Sequence, residues 1–140
     1  MARALAAGAA YFGLVFALGF LLGTVRELMV VPRLGPIAPV LIEVPLMLTA
    51  SFGAARVVAR RLAVPDAAGE RLAMGAVAFV LLIAAETLTG LLLMGRSPGE
   101  QLAAYGTPRG AIGLAAQIAF ALIPLVSGPP KPAGSGEPAA

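Results

Sequence analysis

The stretch LAMGAVAFVLLIAAETLTGLLLM, residues 72–94, holds a single ionisable side chain, Glu86, in 23 positions. As an α-helix rising 1.5 Å per residue it reaches ~35 Å, more than the ~30 Å hydrocarbon core of a bilayer. A helix that is apolar on every side has no face to offer to water, so its natural surroundings are lipid or other helices. Three further stretches read the same way: Ala4–Val25, Ile37–Val58 and Ala111–Val126. The last is short, but Thr107 and Pro108 form an N-cap followed by a proline at the first helical position, which starts its helix at residue 108.

The composition agrees with that reading. Hydrophobic residues make up 59% of the chain and charged residues 12%, whereas a soluble domain carries about 25% charged residues. The sequence therefore predicts an all-α integral membrane protein, a four-transmembrane-helix bundle over residues 1–126. Its spans fall at about 4–25, 37–58, 72–94 and 108–126. The first exceeds the usual ~7–15-residue core of a signal peptide and no small-residue cleavage site follows it, so it is expected to be a retained span. The tail 127–140, rich in Pro, Gly and Ala, has almost nothing to bury and is expected to be disordered.

The connections carry their own signals. PRLGP, residues 32–36, predicts a tight turn between the first two spans. Ser97-Pro98-Gly99-Glu100 matches a capping box and Gly106 a helix stop, which predicts a short interfacial helix over about Pro98–Tyr105, between the third and fourth spans. Arg3, Arg56, Arg60, Arg61, Arg71 and Lys131 fall on one side of the spans, and Arg26, Arg33, Arg96 and Arg109 on the other. Positively charged loops stay inside, so the sequence predicts a multi-pass inner-membrane protein with both termini in the cytoplasm. The Ala, Gly and Arg bias with little Lys points to a bacterial source.

Several function classes drop out. The chain has no Cys and no His, which removes disulfides, thiolate and Ser-His chemistry, histidine-ligated haem and the usual zinc sites. The reading is accordingly not an enzyme, with no catalytic residue, no metal and no cofactor. The arginines are scattered and not interleaved with aromatics, which argues against nucleic acid. The expected partners are the lipid bilayer and either further copies of this chain or other membrane subunits.

What remains is a set of polar side chains at one depth. Glu43 lies six residues into the second span and Gln117 six into the fourth, each ~9 Å below the outer interface. Glu86 lies eight residues before the end of the third, ~12 Å down, and Arg26 closes the first. Small residues share their faces: Gly8 and Gly19 with Arg26, Gly75 and Gly90 with Glu86, Gly113 and Ala121 with Gln117. Pro45 and Pro124 predict helix kinks, freeing the carbonyls of Leu41 and Phe120. Glu43, Glu86, Gln117 and Arg26 are thus the candidate ligand or ion site of a small-solute or ion transport or binding protein, proton linkage included. The rival reading is a non-catalytic accessory or assembly subunit of a larger membrane complex, in which the same residues fix helix register.

Overall fold

The computed structural model describes residues 1–128, so the expected disordered tail lies outside the described residues except for Ser127 and Gly128. Regular structure among the described residues is entirely helical: α1 (Ala2–Val25), a π-helical turn (Arg26–Val30), α2 (Val31–Leu34), α3 (Ala38–Arg61), α4 (Ala68–Met94), α5 (Pro98–Ala104) and α6 (Pro108–Val126). Four helical stretches are long and apolar enough to cross a membrane: Ala2–Leu34, Ala38–Arg61, Ala68–Met94 and Pro108–Val126.

The first of these runs further than the sequence suggests. Pro32 has no amide hydrogen, and in a regular helix its ring would press on the carbonyl of Leu28. The chain widens instead of stopping: the Val31 amide donates to the carbonyl of Arg26, five residues back, and Pro32 starts the new α-helical turn. Arg33 donates to the carbonyl of Met29 at 2.8 Å, supplying that oxygen with a partner. The expected turn over PRLGP is therefore half helix, and the chain reverses over residues 35–37, where Gly35 takes a φ of +75°.

α1 and α6 each pack against both α3 and α4. The tightest approaches are backbone to backbone. A Cβ at Gly8 would stand 2.6 Å from the carbonyl oxygen of Met74, and a Cβ at Gly75 would collide with the carbonyl of Ala121. Glycine alone admits α1 and α6 this close to α4, and close approach is how apolar helices gain dispersion energy without a hydrophobic drive. Around these contacts lies a core of Ala4, Ala7, Tyr11, Ala55, Ala59, Met74 and Ala78, all essentially inaccessible to solvent.

Tyr11 joins α1 to α6 across this core. Its ring stacks on Phe120 with centroids 4.5 Å apart, and its hydroxyl donates to the Phe120 carbonyl at 3.0 Å. That carbonyl is the one Pro124 deprives of its helical partner, so the proline creates an acceptor and the tyrosine fills it. Both prolines expected inside helices, Pro45 and Pro124, lie within α3 and α6. For Pro45 no side chain among the described residues donates to the freed Leu41 carbonyl; Thr49 donates instead to the carbonyl of Pro45, at 2.8 Å.

Tyr11→Phe should lower stability by about 1–3 kcal/mol, because it leaves a buried carbonyl unpaired while keeping the ring. In a Pro124→Ala background the same change should cost much less, since the backbone amide regained at that position then serves the Phe120 carbonyl. Thermal unfolding of the four proteins in mild detergent measures that coupling, and additive losses would show that the hydroxyl serves no proline-freed acceptor.

Candidate functional site

The four candidate polar residues are brought together as two pairs. Arg26, the first residue of the π-helical turn, sets Nη1 2.5 Å from Oε2 of Glu43 on α3. Gln117 on α6 donates its Nε2 to Oε2 of Glu86 on α4 at 2.7 Å. Helical side chains lean toward the N-terminus of their own helix, so on two helices running in opposite directions Glu86 and Gln117 lean toward each other. No hydrogen bond or ion pair among the described residues links Glu43 to Glu86 directly.

The first pair belongs to a chain of charges. Arg26 Nη2 also lies 3.3 Å from Glu27 Oε1, and Glu27 in turn pairs with Arg109 at the start of α6. The run Glu43–Arg26–Glu27–Arg109 connects α3, the π-helical turn and α6, alternating in sign at every step. Two acids and two bases sum to zero, and each group has a partner. The side chains of Arg26 and Glu43 keep only 22% and 16% of their accessibility, so their mutual pairing offsets the desolvation each would otherwise suffer. Chemically this is a clamp. It holds three chain segments in register and offers no free charge.

The second pair is built differently, and α5 completes it. Ser97 caps α5: its Oγ accepts from the Glu100 amide at 3.2 Å, while Glu100 Oε2 accepts from the Ser97 amide at 2.7 Å. That amide hydrogen bond holds the Glu100 carboxyl below the usual carboxylate range, so the cap is intact at neutral pH and is lost only as pH falls through the lowered value. Gly95, at a φ of +63°, ends α4 and turns the chain back. α5 then lays Gln101 into the notch left by Gly90, where a Cβ would stand 2.8 Å from Gln101 Oε1. Tyr105 follows at the end of α5. Burial raises its hydroxyl pKa, and the neighbouring Glu86 charge raises it further.

Around Glu86 the polar groups do not balance. Gln101 Oε1, Tyr105 Oη and Gln117 Oε1 are all buried without a hydrogen-bond partner, at about 1–3 kcal/mol for each such group. Glu86 also has no cation. Among the described acids, Glu27 and Glu43 pair with arginines, Asp66 with Arg71 at 3.4 Å and Glu70 with the Met1 ammonium at 2.7 Å. Glu100 is exposed in its capping box. Glu86 alone among them is partly buried with no cation beside it.

Sequence reasoning missed Gln101 and Tyr105, which are polar residues of a short surface helix and carry no periodic signal toward Glu86. It also missed Glu27 as a partner and Arg109, which counted only toward orientation. At the opposite end Arg71, counted only as a basic loop residue, is 5% exposed, and its Nε and Nη1 have no partner among the described residues. Comparison with family models, with curated proteins and with solved structures finds no match.

If Glu43 and Arg26 form a clamp, Glu43→Gln should destabilise the protein by about 2 kcal/mol, less than for an isolated buried pair because Glu27 still serves Arg26. Adding Arg26→Met should recover most of the loss, a positive coupling in a double-mutant cycle followed by thermal unfolding. Strict additivity would mean that the pair contributes nothing to the fold.

Proposed function

We propose that this chain is a multi-pass inner-membrane protein whose four long helices form a transmembrane bundle, with both termini cytoplasmic and α5 on the outer interface. Its function is to bind or transport a small solute or ion at the polar cluster under α5. The observation that carries this reading is the imbalance at Glu86. A shielded carboxylate with no cation, ringed by three unpartnered polar atoms, costs stability that simple register-keeping does not require. The Arg26–Glu43 clamp, by contrast, supports a structural role for the other half of the candidate set. Glu86 and Gln117 face the ligand; Arg26 and Glu43 hold the helices around it.

A second reading, the accessory subunit, draws on one further feature. An open apolar groove between α3 and α6 is lined by Leu48, Thr49, Phe52, Ala119 and Ile123, and a helix of another subunit would fit such a surface as well as lipid does. Recovery of the protein from mild detergent only with stoichiometric partner chains would favour that reading. A stable assembly of this chain alone favours binding or transport.

Two measurements test the main proposal. Because the chain has no Cys, single changes Leu34→Cys, Gly99→Cys and Ala67→Cys report topology with an impermeant thiol reagent. The first two should label in intact cells and the third only after permeabilisation; the reverse pattern would overturn the orientation. For the site, thermal unfolding in detergent should be screened against amino acids, organic acids, sugars, ammonium and alkali salts, and pH. At least one condition should shift wild type and leave Glu86→Gln unmoved. If the two proteins respond identically throughout, Glu86 is not a binding group.

A further inference from the structure

We propose that Glu86, Gln117, Gln101 and Tyr105 form a binding site for one monovalent hard cation, of the alkali-metal or ammonium class. This inference rests on the reading of the Glu86 cluster as a ligand site and specifies the ligand's chemistry.

The argument starts from charge. Every other shielded acid among the described residues has a protein cation, and Glu86 has none. A carboxylate withdrawn from water must be neutralised, by a proton or by a cation that displaces one. The single negative charge at Glu86 matches a single positive charge. A divalent ion would leave the site with a net charge in a low-dielectric setting, and calcium sites recruit several carboxylates.

The donor set then argues for a cation over a proton alone. Gln117 already satisfies one oxygen of Glu86 through its Nε2, which leaves its own Oε1 bare. Gln101 Oε1 and Tyr105 Oη are bare as well. These are hard oxygen donors, with neither sulfur nor imidazole among them, the ligand type that suits alkali cations. A proton on Glu86 would serve one of those oxygens and the Tyr105 hydroxyl, which lies between Glu86 and Gln101, can donate to a second, which still leaves one oxygen without a partner. A cation can take oxygens from several residues at once, and the three residues come from α5 and α6, elements held against α4 by Gly90 and Gly75. Nor does the arginine chain compete, because Arg26 and Arg109 are occupied by Glu43 and Glu27.

The test is thermal unfolding of the full-length protein in detergent. Sodium, potassium and ammonium chloride are titrated against N-methyl-D-glucamine chloride at constant ionic strength, at several pH values. At least one small cation should raise Tm saturably, and its half-saturating concentration should rise about tenfold for each unit by which pH falls once Glu86 protonates. Glu86→Gln should have a higher Tm than wild type in N-methyl-D-glucamine chloride and no cation response. Gln101→Leu, on the short α5 helix, keeps the carboxylate but removes one oxygen, and should weaken the response several-fold without abolishing the fold; it carries the test should Glu86→Gln not fold. A wild type indifferent to every small cation, yet with a pH dependence that Glu86→Gln lacks, would overturn the cation site and leave a proton-binding Glu86. If wild type and Glu86→Gln superimpose under all salts and pH values, the cation site and the underlying ligand-site reading both fall; if wild type and Gln101→Leu superimpose, the four-residue cation site falls.

Discussion

α4 is approached most closely by α1 and α6 where one of the two helices has no side chain. Gly8 of α1 faces the Met74 carbonyl and Gly75 of α4 faces that of Ala121, so both contacts are set by main-chain atoms that cannot rotate away. Everything else in the packing follows from that separation. With helices so close, much of the core between them is alanine, and the one fully buried ring there, Tyr11, carries a hydroxyl that must find a partner once it is withdrawn from water. It finds the Phe120 carbonyl, exposed by Pro124. One proline and one tyrosine thus tie the diagonal of the structure, where the main chains of α1 and α6 scarcely meet. The same approach of α6 to α4 aligns Gln117 with Glu86.

The two glutamates show how environment divides similar residues between roles. Glu43 and Glu86 lie in apolar helices at comparable positions from their ends, yet one has an arginine within 2.5 Å and the other an amide at 2.7 Å. An amide stabilises the carboxylate by one hydrogen bond and carries no charge, so Glu86 keeps its need for a counter-ion or proton. The clamp on the other side depends on the π-helical turn. Had the first helix ended at Val25, Arg26 would sit at a frayed terminus free to face water. Because Pro32 forces a wider turn and the helix continues to Leu34, Arg26 and Glu27 are held on ordered backbone and meet α3 and α6.

Much of the fold was legible in the sequence, and the reasons are local. The capping box at Ser97 and the Thr107-Pro108 start use side chains that bond within three residues, so α5 and the start of α6 fall where those rules put them. The long helices announced themselves by length and apolarity. The end of the first did not, because Pro32 is a reliable stop only if the helix cannot change its pitch, and five residues of π-helix change it. For the site, depth counting put Arg26, Glu43, Glu86 and Gln117 at one level, since residue rise is fixed. Counting could not say that they divide into two pairs, Arg26 with Glu43 and Gln117 with Glu86, because that depends on how the helices are offset along their axes. Nor could it find Gln101 and Tyr105, whose approach to Glu86 depends on Gly95 turning α5 back and on the notch at Gly90.

That dependence makes α5 more than a connection. Its seven residues are too few to be a stable helix by propensity alone, so its order comes from the Ser97–Glu100 cap and from Gln101 seated at Gly90. The cap fixes Glu100 outward, toward water, and thereby turns the next residue inward over α4. Tyr105, four residues beyond Gln101 and on the same face, follows it. The polar roof over Glu86 is therefore set in part by two hydrogen bonds from backbone amides to side-chain oxygens at the far end of a two-turn helix. The other end of the roof is fixed by main-chain packing, because Gly110 of α6 sits directly against the carbonyl of Ala104. The chain of Arg26, Glu43, Glu27 and Arg109 ties the π-helical turn to α3 and α6 on the other side.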